Sequence, residues 1–250
     1  MDDRGRHTVV IIPTYNNAGT ISDVVRRVLP LGLPLIIVDD GSTDGTGLIL
    51  DDIQRPDPST IQIITFPVNK GKGAALKEAF RQATDRGFSF AVTIDADGQH
   101  SPEEIPVLLE KAEDRTLVIG SRNLTAEGMP SGNTFANKFS NFWFKVQTLK
   151  HLPDTQSGFR VYPLKDMQFK SLMTKRYEAE LLLLVFSAWK GLSFVSVPIH
   201  ISYPEDRVSH FRPVLDFLRI TVLNTALCIL AVIYGYPRMF IRWLTGRIGR

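Results

Sequence analysis

Asp95-Ala96-Asp97 closes the apolar run Phe88–Ile94 and is followed at once by Gly98-Gln99-His100. Alternate residues of an extended chain point the same way, so both carboxylates are expected to face one divalent cation, with the small Ala96 keeping the space between them clear. Hard cations such as Mg²⁺ and Mn²⁺ take oxygen ligands and keep positions open for substrate phosphates, and Gln99 can add one neutral oxygen. One aspartate alone would read as a turn or helix cap. Two at this spacing point to metal and nucleotide, because adjacent buried carboxylates need a cation to neutralise them.

Three more polar motifs punctuate the chain: Pro13-Thr-Tyr-Asn-Asn17, Asp39-Asp40-Gly-Ser-Thr-Asp-Gly-Thr46 and Asn69-Lys-Gly-Lys-Gly73. The second reads as a strand end, a turn and a helix capped by Ser42, Thr43 or Asp44, which leaves Asp39 to accept hydrogen bonds from a base or ribose. A phosphoacceptor aspartate is another use of paired acids, but it leaves Asp95 and Asp97 unexplained. The third opens a helix with glycines and lysines, among them Lys72, and suits either a solvated basic start or an anion at exposed N–H groups. It lacks the spacing of a Walker loop. Arg122 and Lys138 are placed to neutralise a second phosphate, and the basic stretch Arg207-Val-Ser-His-Phe-Arg212 reads as a loop able to close on a diphosphate or on anionic lipid.

The elements that position these motifs follow from apolar patterning. Thr8–Ile12, Leu35–Val38, Ile61–Phe66, Phe88–Ile94 and Thr116–Ile119 read as strands, and Thr20–Leu29, Gly45–Ile53, Gly71–Ala83 and Pro102–Ala112 as intervening helices, the last starting after Ser101. Such alternation demands crossovers and predicts an α/β fold with a mainly parallel sheet flanked by helices, which binds ligands outside the carboxyl ends of its strands. All four motifs fall at those ends. Further on, a loop over Thr125–Gly132, a helix over Thr134–Leu149, the polar cluster Asp154–Arg160, a helix over Tyr177–Lys190 and a strand over Phe194–Val197 are expected.

Composition sets the frame. A chain of 250 residues with 44% hydrophobic content has material for one large core. A net charge of +3 argues against a nucleic-acid partner, and the single Cys228 fits a reducing compartment. The start, Met1–His7, is polar and shows no secretory pattern, so the catalytic part is expected in the cytoplasm.

In order along the chain, Pro13-Thr-Tyr-Asn, Val38-Asp-Asp-Gly-Ser-Thr-Asp-Gly-Thr46, Asn69-Lys-Gly-Lys-Gly, Asp95-Ala-Asp-Gly-Gln and Ile119-Gly-Ser-Arg122 resemble family 2 glycosyltransferases of the GT-A fold. The branch they are similar to is that of the polyprenyl-phosphate (dolichyl-phosphate) mannose synthases. The resemblance implies that Pro13, Thr14, Tyr15 and Asp39 line base and ribose, and that Asp95 sits beside ribose and metal. It also implies Asp97 and Gln99 as ligands of Mg²⁺ or Mn²⁺, and Arg122 as the acceptor-phosphate arginine. Asn17, Lys72 and Ala96 join the nucleotide-sugar site, Lys138 is the candidate second acceptor cation, and His210 and Arg212 fall in the donor-diphosphate loop. Asn17 stands where the family commonly has an acid.

The implied reaction is inverting transfer of a hexose, mannose or glucose, from a GDP- or UDP-sugar to polyprenyl phosphate. An ionised phosphate needs no strong base. A glycan or lipid hydroxyl acceptor is the alternative, with Asp154 or Glu178 as base. A non-catalytic nucleotide-sugar or lipid binder is the other.

The division expected is a catalytic domain over 1–212 and a membrane-associated tail over 213–250. Ile220–Tyr236 is apolar yet slightly short of the roughly 20 residues that span a bilayer, and Asn224 lies inside it. Arg212 and Arg219 precede it while Arg238, Arg242 and Arg247 follow, so a single span would export one basic cluster. A monotopic attachment at the cytoplasmic face is therefore expected ahead of a single span.

Overall fold

The computed structural model describes residues 7–55, 59–122, 131–167, 178–202 and 213–245, with backbone alone for 131–135 and 213–219. Seven strands form one sheet: β1 Thr8–Thr14, β2 Leu35–Asp39, β3 Ile61–Thr65, β4 Phe90–Thr93, β5 Thr116–Arg122, β6 Arg160–Pro163 and β7 Ser193–Ile199. Their order is β3-β2-β1-β4-β6-β5-β7. Every pairing is parallel except those of β6, which runs antiparallel to β4 and β5.

All seven residues of β1 are buried, and they alternate between two cores. Val9 and Ile11 face Leu76, Phe80 and Phe144, while Val10 and Ile12 face Ile21, Val25 and Ile105. Covering on both faces is what a parallel sheet requires, because its crossovers lay helices on either side. The helices are α1 Ile21–Val28, α2 Thr46–Gln54, α3 Lys72–Asp85, α4 Ile105–Leu109, α5 Ser131–Thr148, α6 Glu178–Trp189, α7 Pro213–Leu230 and α8 Tyr236–Leu244. A single wider turn, Ala231–Gly235, joins α7 to α8. In α3 the buried positions Ala75, Leu76, Ala79, Phe80 and Ala83 recur at helical spacing, and the left-handed Gly87 lies two residues beyond its end.

Three expectations need correcting. The strand expected over Phe88–Ile94 ends at Thr93, so Asp95-Ala96-Asp97 occupies a turn beyond the sheet, not an extended segment that presents both carboxylates on one side. The helix expected over Pro102–Ala112 is a tight turn at Pro102–Glu104 followed by the short α4, and Ser101 makes no side-chain cap. The end of the polar cluster at Arg160 begins a strand, β6, that the patterning did not announce. The segments holding Arg207, His210 and Arg212 and most of the 125–132 loop lie outside the described residues.

Candidate active site

Successive connections leave β1 toward β2 and β3 on one side and reach β4 on the other, so the sheet reverses direction between β1 and β4. Crevices at such reversals are where α/β sheets bind ligands. The β1–β4 pairing stops at Ile11 and Thr93, and Pro13, which has no N–H to give, lies just past it. Pro13–Asn17 and Asp95–Gln99 thus flank the same opening.

The loops after β1 and β2 are interlocked. Asn16, in the left-handed region at φ 54°, donates its N–H to Ser42 Oγ at 2.9 Å and accepts the Thr43 N–H at 2.8 Å. Asn17 donates its N–H to Thr46 Oγ1 at 3.0 Å and its amide to Thr14 Oγ1 at 3.1 Å. Asp39 is buried and accepts the Ser42 N–H at 3.0 Å. None of the three cap candidates holds the N-cap position, which is the left-handed Gly45, although Asp44 just before it accepts both the N–H and the hydroxyl of Thr46.

Asp40, which the sequence left without a role, organises the next loop. Its two oxygens accept the N–H groups of Lys70 and Gly71, each at 2.7 Å. Burial raises its pKa against the pull of those donors. Gly41 is required beside it: at φ 74°, an added Cβ would lie 2.6 to 2.9 Å from the Val68 and Asn69 backbone.

Lys72 is not a solvated helix start. Its ammonium lies 2.7 Å from Asp95 Oδ1 and 2.9 Å from Glu180 Oε2, and its side chain is 17% exposed. Burial opposes the charge, but attraction to Asp95 and then Glu180 outweighs it and raises the pKa. Asp95 shows the converse: burial pushes up, Lys72 pulls down further, and the carboxylate stays ionised. Glu180, in the first turn of α6, is a site residue that sequence reasoning missed, having singled out its neighbour Glu178 in the same turn instead.

Ala96 contributes through its backbone, its carbonyl accepting the Thr20 hydroxyl at 2.6 Å and so fastening the acidic turn to the start of α1. Asp97 is half-buried and accepts the Gln99 N–H at 3.1 Å, while Gln99 is buried and its carbonyl accepts the Ser202 N–H. His100 packs against Phe159 at 5.4 Å, and burial pushes its imidazole down to about 4 despite Asp95, so it is neutral near pH 7.

Because β6 runs backwards, its first residue, Arg160, pairs with Thr93 near the end of β4 and with Ile119 in β5. The 154–159 loop is thereby delivered to the opening. Gly158 lies so close to Asp95 that a Cβ there would be 2.5 Å from Oδ2. Arg122, at the end of β5, grips the buried Asp154 through Nε and Nη2 at 2.6 and 2.9 Å. Asp154 also accepts from Asn137 and from the N–H groups of Arg122, Gln156 and Ser157. Burial raises its pKa, but the Arg122 and Asn137 hydrogen bonds hold it below the usual carboxylate range. So engaged, Asp154 is a fixed anion and a poor general base. Lys138 is exposed on α5, next to Asn137.

The donor set around Asp97 and Gln99 consists of hard oxygens, which fits Mg²⁺ or Mn²⁺. Among the described residues no cluster of three or more histidine, cysteine or acidic side chains could hold a metal alone. A cation here would draw on a diphosphate and water for its remaining positions.

Comparison with known proteins agrees with this architecture. A polyprenol monophosphomannose synthase from Mycolicibacterium smegmatis is 32% identical over 213 residues, spanning 82% of this chain and 80% of the relative. An undecaprenyl-phosphate mannosyltransferase from Micrococcus luteus is 31% identical over 200 residues, 76% of this chain and 82% of the relative. Among solved structures, glucosyl-3-phosphoglycerate synthase from Mycobacterium tuberculosis, crystallised with Mn²⁺, UDP-glucose and phosphoglyceric acid, superposes with a TM-score of 0.64 at 20% identity, covering 91% of this chain and 80% of that one. The sheet and its flanking helices are those of the GT-A fold. Residues 9–168 match the model of Glycosyl transferase family 2, and the chain belongs to that family of glycosyltransferases.

Proposed function

We propose that this enzyme transfers a hexose, mannose or glucose, from a GDP- or UDP-sugar to polyprenyl phosphate with inversion at the anomeric carbon. In this reading residues 1–212 form the catalytic domain and residues 213–250 attach it to the cytoplasmic face of a membrane. The relatives named for polyprenol and undecaprenyl-phosphate mannosyl transfer support the acceptor and the mannose. The observation that carries the reading is the meeting of the acidic turn and the Arg122–Asp154 pair on either side of the Gly158–Phe159 loop.

Asp39 and the Pro13–Asn17 loop would receive base and ribose, and Asp95, kept ionised by Lys72, would accept ribose hydroxyls. Asp97 and Gln99 would hold Mg²⁺ or Mn²⁺, which supplies Lewis-acid stabilisation of the departing diphosphate. Arg122 is the acceptor-side cation in this scheme. Its planar fork suits phosphate, and Asp154 fixes its orientation. Lys138 is a second acceptor cation, and His210 and Arg212 belong to the loop that closes on the diphosphate. A phosphate oxygen is already ionised near pH 7 and attacks without a base, which agrees with the engaged state of Asp154.

Purified full-length protein incubated with Mn²⁺, a panel of GDP- and UDP-hexoses and polyprenyl phosphate should form an acid-labile lipid-linked sugar with one donor. Product only with a glycan or lipid hydroxyl would replace the acceptor assignment. Donor binding without product from any acceptor would reduce the chain to a binding protein.

A further inference from the structure

We infer that the C-terminal helix is clamped lengthwise onto the catalytic body and lies in the plane of an anionic membrane leaflet without crossing it, an inference that rests on the reading of this enzyme as one that meets a lipid-linked acceptor. Ile220–Leu244 is 25 residues of apolar helix, long enough by itself to cross a bilayer. Its packing decides against that.

Asn224, Leu227, Ala231 and Gly235 are buried at spacings of three and four residues, a single stripe on one side of the helix. Leu227 and Ala231 join the hydrophobic core of the catalytic body, and polar contacts flank them. Gln147 of α5 donates to Asn224 Oδ1 at 2.9 Å, and the Tyr236 hydroxyl donates to the Val146 carbonyl. Gly235 sits on the Trp189 indole, where an added Cβ would be 2.5 Å from the ring, and the Trp189 N–H is itself held by the Gln147 carbonyl at 2.8 Å. Farther along, the Arg242 guanidinium covers Gly191. From Asn224 to Arg242 the helix advances about 27 Å at 1.5 Å per residue, close to the roughly 30 Å of a hydrocarbon core.

A helix held along that length cannot cross a bilayer without taking its partner surface with it. That surface includes the exposed Lys145 of α5 and the Arg115–Asp166 ion pair, whose arginine also donates to the Lys190 carbonyl where α6 turns into β7. Charges of this kind are costly in hydrocarbon. Laid flat, the same helix keeps its buried stripe on the protein and turns Val222, Ile229, Ile233, Phe240 and Trp243 outward, Ile233 at 70% and Trp243 at 64% exposure. No acidic residue follows Asp216, whereas Arg219, Arg238, Arg242, Arg247 and Arg250 do. That one-signed charge beside an apolar face suits anionic headgroups over acyl chains.

The test uses the full-length protein carrying Cys228→Ser, with a fluorophore placed in turn at Val222→Cys, Ile233→Cys and Trp243→Cys. Vesicles of phosphatidylglycerol and phosphatidylcholine carry quenchers at shallow or deep acyl positions. All three sites should report a similar shallow depth, and Ile233→Asp should weaken vesicle binding at least tenfold while transfer to detergent-dispersed polyprenyl phosphate persists. A deep Ile233 with Val222 and Trp243 near opposite surfaces would overturn the inference in favour of a span. Absence of quenching together with dimer formation would overturn it in favour of a second copy of the chain. Either result with transfer intact strikes this inference alone, whereas loss of transfer with the shallow pattern intact strikes the proposed function.

Discussion

Arg122 and Asp154 are joined through two parallel contacts, Nε to Oδ2 at 2.6 Å and Nη2 to Oδ1 at 2.9 Å, which tie the end of β5 to the loop that enters β6. A lysine at position 122 would keep the charge but lose the planar fork. Arg122→Lys is expected to raise the KM for polyprenyl phosphate about tenfold, equivalent to about 1.4 kcal/mol, with the donor KM within about twofold of its starting value. Steady-state kinetics with each substrate varied in turn checks this. Equal weakening of donor and acceptor would remove Arg122 from the acceptor side.

The same pair carries a pH dependence. Because the Asp154 pKa is lower in the folded than in the unfolded chain, the unfolded state binds more protons at acid pH. The stabilisation is therefore complete above the unfolded value, about 3.9, and is lost as pH falls through it toward the folded value. Asp154→Asn should be less stable near pH 7 by about 3–5 kcal/mol, as expected for breaking a buried pair. Its deficit against the parent should shrink as pH drops below about 4. Denaturant unfolding at pH 7 and pH 3 measures both; a deficit that grows on acidification would contradict the assignment.

Lys72 sits between two carboxylates, Asp95 and Glu180, and is the cation in direct contact with both. Lys72→Met leaves the half-buried Asp95 and the buried Glu180 without their shared cation and should cost about 2–3 kcal/mol of stability. Adding Glu180→Gln should recover part of that loss, a coupling that a double-mutant cycle reads directly. Strict additivity would show that Glu180 does not belong to the cluster.

Gly158→Ala places a methyl group where Asp95 Oδ2 now lies, and Lys72 limits how far that carboxylate can retreat. Turnover should fall at least about tenfold while the thermal midpoint changes by only a few degrees. Unchanged turnover would mean that Asp95 does not act from its present position.

How much of this was legible in the sequence depends on which force shaped each part. Strands β1 to β5 and β7 announce themselves as short apolar runs, and the motifs at their ends fall where a parallel sheet must place ligands. Strand β6 escaped because Arg160-Val-Tyr-Pro163 is four residues long and opens on an arginine. That arginine is fully buried, its terminal nitrogens held by the nearby Tyr162 hydroxyl and Thr155 carbonyl and by the Glu180 carbonyl from a distant helix. Asp40, Asp154 and Glu180 were visible as acids, but their duties as loop anchor, arginine clamp and lysine partner arise only when distant segments meet. The acidic pair was expected on extended backbone, whereas the strand stops at Thr93 and the chain turns at Ala96–Asp97, just before the left-handed Gly98.

The most direct test of the central claim is Mn²⁺ binding, followed by electron paramagnetic resonance, in the presence of GDP or UDP and with no acceptor. The account predicts one nucleotide-dependent Mn²⁺ site in the full-length protein, weakened at least about tenfold by Asp97→Ala with the fold intact by circular dichroism. Mn²⁺ and nucleotide binding left unchanged by that substitution would contradict it.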